Sequence, residues 1–158
     1  GNEATVMKYD GSAWVLVGSA GFSAGEAYDT SLALASNNVP YVAYSDAANG
    51  LGATVMKYHS GSGWVPVGSA GFSAGGAYFT SLALDSNAVP YVAYVDVANG
   101  DKATVMKYDS GSGWVLVGSA GFSDGAALYT SLALDSNAVP YVAYKDLANG
   151  DKATVMKF

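Results

Sequence analysis

The 158-residue chain has 7 basic and 13 acidic side chains, a net charge of −6, one histidine, and no cysteine or arginine. An acidic chain without arginine lacks the basic face that nucleic-acid phosphates require, and without cysteine there are neither disulfides nor thiolate metal sites. No apolar run reaches the ~18 residues of a helical membrane span, and no secretory signal is read.

The sequence repeats with a period of about 50 residues, a range that marks stacked or circular repeat architectures. Ala-Thr-Val-Met-Lys occupies 4–8, 53–57, 103–107 and 153–157. Trp-Val-x-Val-Gly-Ser-Ala-Gly-Phe-Ser starts at Trp14, Trp64 and Trp114, and Val-Pro-Tyr-Val-Ala-Tyr at Val39, Val89 and Val139. In chain order, 1–18 reads as the outer two strands of a blade, 30–68 and 80–118 as complete blades, and 130–158 as the inner three strands of another.

The third copy shows the pattern best. Trp114–Val117, Ser131–Leu134, Tyr141–Tyr144 and Ala153–Met156 are each strand length and rich in β-branched, aromatic and aliphatic residues, too short for buried helices. Asp109–Gly113 reads as a tight turn, Asp135-Ser136-Asn137 leads to Pro140 at the first position of a strand, and Asn149-Gly150 reads as a hairpin turn. The segment from Ser119 to Thr130 is longer and rich in Gly and Ala. Three tight hairpins and one longer crossing describe a propeller blade, with the Ser-Leu-Ala-Leu strand innermost and the Trp strand outermost. The fold expectation is therefore all-β: a β-propeller of four-stranded antiparallel blades, about three blades per chain. A solenoid fits the hairpin turns less well.

About three blades do not close around an axis, and an open arc exposes apolar sheet faces. Glu3–Tyr9 and Lys152–Phe158 are copies of the same third strand. The expected partner is a second copy of the chain: a homodimer closes six blades and a homotrimer nine, with either 1–9 or 151–158 displaced from the shared slot. The alternative is that the chain is a fragment of a longer parent.

The strings Ser-Leu-Ala-Leu-Asp-Ser-Asn-Ala-Val-Pro-Tyr-Val-Ala-Tyr and Trp-Val-Leu-Val-Gly-Ser-Ala-Gly-Phe-Ser resemble those of highly repetitive bacterial β-propeller proteins, or of a propeller designed or reconstructed from such a blade. The resemblance implies the fold, and favours an extracellular or cell-surface location. The Gly-His and Trp-Asp marks of WD40 blades are absent, and the kelch pattern fits poorly.

Chemistry is less evident. Gly21–Gly25, Gly71–Gly75 and Gly121–Gly125 match the G-x-S-x-G nucleophile elbow, but that motif needs a strand-to-helix turn and a histidine base. His59, the sole histidine, reads as an exposed turn residue at the other end of the blade. Asp96 to Asp101 and Asp146 to Asp151 cluster oxygen donors without a calcium-loop spacing, so no metal and no cofactor is expected. No catalytic residue is assigned; an enzyme would need carboxylates such as Glu26, Asp29 or Asp124 to converge at the channel mouth. For a glycan, the alternative partner, the stacking residues are Trp14, Trp64, Trp114, Tyr28, Tyr78 and Tyr129. Copies two and three differ mainly in the second-to-third-strand loop (Leu51/Asp101, Gly52/Lys102, Val95/Lys145, Val97/Leu147) and in the long crossing (Ala74/Asp124, Gly76/Ala126, Tyr78/Leu128, Phe79/Tyr129). Alternating strand direction puts both regions on one end of the ring, as drift in exposed loops or as specialisation for a ligand.

Overall fold

A computed structural model describes residues 1–158 as an all-β chain. Its strands are β1 (Met7–Tyr9), β2 (Trp14–Leu16), β3 (Ala27–Leu34), β4 (Pro40–Asp46), β5 (Gly52–His59), β6 (Gly63–Pro66), β7 (Ala77–Leu84), β8 (Pro90–Asp96), β9 (Lys102–Asp109), β10 (Gly113–Leu116), β11 (Ala127–Leu134), β12 (Pro140–Asp146) and β13 (Lys152–Lys157). They form antiparallel sheets in simple up-and-down order: β1-β2, β3-β4-β5-β6, β7-β8-β9-β10 and β11-β12-β13. Pro40, Pro90 and Pro140 each open the second strand, where a missing N–H costs no interior ladder bond.

Two details differ from the sequence expectation. The innermost strands begin at Ala27, Ala77 and Ala127, ahead of the Ser-Leu-Ala-Leu run, because a bulge lies between Tyr28/Ser31, Tyr78/Ser81 and Leu128/Ser131. The bulge puts Asp29, Phe79 and Tyr129 at φ of 51°, 51° and 56°, a left-handed backbone that apolar alternation cannot reveal. The second-to-third-strand connection is not a two-residue Asn-Gly hairpin either. In the first two blades it is a longer loop with a 3-10 turn, Ala47–Asn49 or Val97–Asn99, ended by left-handed Gly50 or Gly100. The turn forms because Asp46 and Asp96 accept the N–H of Ala48 and Ala98 at its start.

Consecutive sheets pack face to face. Val6 meets Val42 and Tyr44 between the first two sheets. Tyr41, Ala43 and Val55 meet Leu82, Val92 and Tyr94 at the next interface, and Tyr91, Ala93 and Val105 meet Leu132, Val142 and Tyr144 at the last. The innermost strands are stitched across blades: Leu82 N–H donates to Ser31 Oγ (3.0 Å), Leu132 N–H to Ser81 Oγ (2.9 Å) and Phe79 N–H to Asp29 Oδ2 (2.8 Å). The result is a β-propeller-like arc with β3, β7 and β11 side by side.

Candidate functional site

Each crossing is a suture between blades. The Gly-Phe-Ser segment leaves the outer strand and is tied back to the third strand: Ala4, Ala53 and Ala103 N–H donate to Ser23, Ser73 and Ser123 Oγ, at 2.9, 2.9 and 3.0 Å. Those hydroxyls in turn donate to the Gly25, Gly75 and Gly125 carbonyls at 2.6–2.7 Å. Both capacities of each serine are used in fixing backbone, and the elbow-like motif holds no poised nucleophile. The phenylalanine of the same segment reaches the next blade. Phe22 stacks on Trp64 at 4.2 Å and Phe72 on Trp114 at 3.8 Å, while the Trp64 and Trp114 indole N–H groups donate to Val17 O (2.8 Å) and Val67 O (2.9 Å). Tyr58 and Trp64 crowd over Gly18, and Tyr108 and Trp114 over Gly68, so closely that a β-carbon at either glycine would clash.

A second tie was not read from the sequence. Asp46 and Asp96 are fully buried. Asp46 Oδ2 accepts from Thr54 Oγ1 (2.8 Å) and Asn49 Nδ2 (2.9 Å), and Thr54 Oγ1 accepts the Gly71 N–H of the crossing (2.8 Å). Asp96, Asn99, Thr104 and Gly121 repeat this relay. The recurrence of aspartate and threonine eight residues apart in every copy was the available signal. The candidate calcium loop thus has its first carboxylate occupied by these bonds, and no cluster of His, Cys, Asp and Glu is placed to hold a metal ion.

Two faces of the arc are uncovered, and they are the two halves of the interface made within the chain. Leu82 and Leu132 are 6% and 9% exposed, but the equivalent Leu32 is 53% exposed. At the other end, Val55 and Val105 are at most 1% exposed, but the equivalent Val155 is 64% exposed. Strands β4 and β8 are buried at every position, whereas β12 alternates, its Tyr141, Ala143 and Lys145 partly open. Beside β1 a groove of two adjoining hollows, about 250 and 400 Å³, is lined by Val6, Met7, Leu32, Leu34 and Val42, among others. It lies where a second strand pairs with the third strand in the complete blades. Trp14 is 66% exposed, with the Tyr9 ring tilted beside it at 6.0 Å. Its counterpart surface, Phe122 and the Val117 carbonyl, has no tryptophan; Phe122 meets Phe158 edge-on at 5.1 Å.

The aromatic residues read as ligand-stacking candidates fall into two groups. Trp14, Trp64 and Trp114 lie on the outer strands, the last two stacked on Phe22 and Phe72. Tyr28, Tyr78 and Tyr129 lie at the bulges of the innermost strands, far from the tryptophans in blade order. The Tyr28 hydroxyl donates to Glu26, which raises the Tyr28 pKa, and exposed Tyr129 sits edge-on to Phe79 at 4.6 Å. Of the carboxylates an enzyme would need, Asp29 is engaged by Phe79 N–H, while Glu26 and Asp124 are exposed on crossings of different blades. His59 is exposed and accepts the Gly61 N–H through Nδ1 at 3.2 Å.

A cleft of about 300 Å³ opens between the two complete blades, lined by Tyr41, Lys57, Val67, Pro90, Tyr108 and Asp109, among others. No protein-family model and no curated protein matches the sequence. Among solved structures, the chain is similar to a fucose lectin from Kordia zhangzhouensis in complex with methyl-fucoside. The likeness has 13% identity and a TM-score of 0.51, and covers 82% of this chain and 91% of that one. At that identity what the two share is a fold.

Proposed function

We propose that the chain is a non-enzymatic, self-assembling propeller module whose ring closes when copies complete each other's blades. The carrying observation is the exposure of Leu32, Trp14 and Val155 where their equivalents are buried or partly buried. In this reading the β11–β12 sheet of one copy enters the groove beside β1 of another. Tyr141 and Ala143 cover Leu32, Val42 and Tyr44, as Tyr41 and Ala43 cover Leu82, Val92 and Tyr94. Trp14 then stacks on the partner's Phe122 and donates to the partner's Val117 carbonyl. Burying apolar area on both faces, at ~25 cal/mol per Å², drives the association. Two copies give six blades with two-fold symmetry, a smaller ring than the nine of a trimer. Leu32→Asp places a charge on the uncovered face of an otherwise intact chain. Size-exclusion chromatography of L32D is expected to give a folded, non-associating species; association unchanged from the parent overturns the reading.

Carbohydrate binding is the second reading, supported by the likeness to a fucose lectin and by the cleft between blades, where Tyr41 and Tyr108 rings lie near Lys57 and Asp109. An apolar wall with a few convergent polar groups suits a sugar. A glycan array including α-fucosides decides it: retention of fucosides that falls with Tyr108→Ala supports a lectin, and no retention leaves assembly as the property of the module.

A further inference from the structure

Resting on the ring reading above, we infer that β1 of the incoming copy takes the contested third-strand slot and that β13 is a detachable plug, paired with β12 only until the ring closes. The two strands carry the same Ala-Thr-Val-Met-Lys, so β12 gains from β1 the ladder bonds it loses from β13, and Thr5 can replace Thr154 in the bond to Asp146 (3.0 Å). What differs is what each strand must leave behind.

The N-terminal strand is held from the outer side by its own chain. It pairs with β2, and Val17, Phe22 and Ala27 N–H donate to the Val6, Ala4 and Asn2 carbonyls at 2.9, 2.9 and 3.0 Å. Ala4 N–H is bound by Ser23 Oγ, and Thr5 Oγ1 accepts the Gly21 N–H (2.9 Å). The Asp10 carboxylate closes the β1–β2 turn by accepting from Ser12 and Ala13 N–H, at 2.8 and 2.9 Å. Val6 is already buried against Val42 and Tyr44. Displacing this strand opens the turn and empties a formed core.

Strand β13 pairs only with β12, and past its end a single side chain, Phe158, reaches the crossing, over Gly118 and edge-on to Phe122 at 5.1 Å. Its outer edge is unpaired, most of its residues are exposed, and Val155 touches no core. The loop leading to it makes fewer bonds to its aspartate than its equivalents do. Leu51 and Asp101 N–H donate to the Asp46 and Asp96 carbonyls, and Asn49 and Asn99 side chains donate to the same aspartates' carboxylates, but Asp151 and Asn149 make neither bond; in their place Asn149 N–H donates to the Asp146 carbonyl at 3.3 Å and Asp151 pairs with Lys145 at the exposed surface, at 3.5 Å. Ring closure is then a strand exchange in which the hairpin bonded to its own crossing stays whole and the singly paired edge strand peels away after Gly150. As a plug, β13 holds back assembly.

Trypsin reads the outcome on the assembled full chain, because Lys8 lies in β1 and Lys152 opens β13. Cleavage follows local opening. The expected result is cutting after Lys152 at least ~10-fold faster than after Lys8, with the clipped ring losing residues 153–158 but keeping its number of chains. Cutting at Lys8 first, or protection of Lys152 equal to that of Lys102, overturns the assignment. A second variant, Met156→Pro, removes from β13 alone an N–H that faces β12; it is expected to assemble at least as tightly as the parent, and weaker assembly overturns the inference. If the full chain never associates, the ring reading itself falls. If it associates but sheds residues 1–8, only the slot assignment falls.

Discussion

Equivalent residues in unequal surroundings are the most informative feature of this chain at the scale of single side chains. Trp114 and Trp14 share a sequence context, but only Trp114 stacks on a phenylalanine and has a carbonyl for its indole N–H. Trp114→Ala should therefore cost about 3 kcal/mol of folding stability in urea melts. Trp14→Ala should leave the unassociated fold nearly unchanged and weaken self-association by about 2 kcal/mol, roughly 30-fold in Kd. Burial, and then the Asp96 carboxylate, push the Tyr94 hydroxyl well above its ordinary pKa of 10.0. The folded chain keeps that proton after the unfolded chain has begun to release it. This contribution is thus whole below about pH 10 and declines as pH rises toward the raised folded value. The hydroxyl meets only the Met106 sulfur, at 3.4 Å, so Tyr94→Phe should cost under ~1 kcal/mol at pH 7. Urea midpoints at pH 8 and pH 11 should fall less for Y94F than for the parent.

Strands and turns show what could be read in advance. Apolar runs and prolines mark the second strand of every blade, and the Asp109 turn is legible because aspartate binds the N–H groups of Gly111 and Ser112. The bulges at Asp29, Phe79 and Tyr129 were not legible, since nothing in a Tyr-Asp or Leu-Tyr pair announces a left-handed backbone. The buried relay was missed because aspartate before Ala-Ala-Asn-Gly reads as a solvated loop, while its role depends on a threonine one strand away and a glycine in the crossing. Pairing Phe22 and Phe72 each with one tryptophan of the next blade needed the structure. The relay predicts its own mutant. Thr104→Val keeps the shape but leaves the buried Asp96 carboxylate short of one donor and the Gly121 N–H without its acceptor, so it should cost about 2–3 kcal/mol by urea denaturation. Thr154→Val, whose residue has no crossing to hold, should cost under ~1 kcal/mol.

For the molecule as a whole, the same interface recurs between neighbouring sheets and its two halves lie open on the outermost ones. The repeat made the fold and the equivalence of the two ends legible, but the different bonds that hold β1 and β13 are concealed by their identical sequences. In the proposed ring a second copy covers those faces. Static light scattering on the full chain tests it most directly. A closed two-chain ring gives a discrete species of twice the 16.0 kDa chain mass that persists across micromolar concentrations. A single 16.0 kDa species over the same range would contradict it.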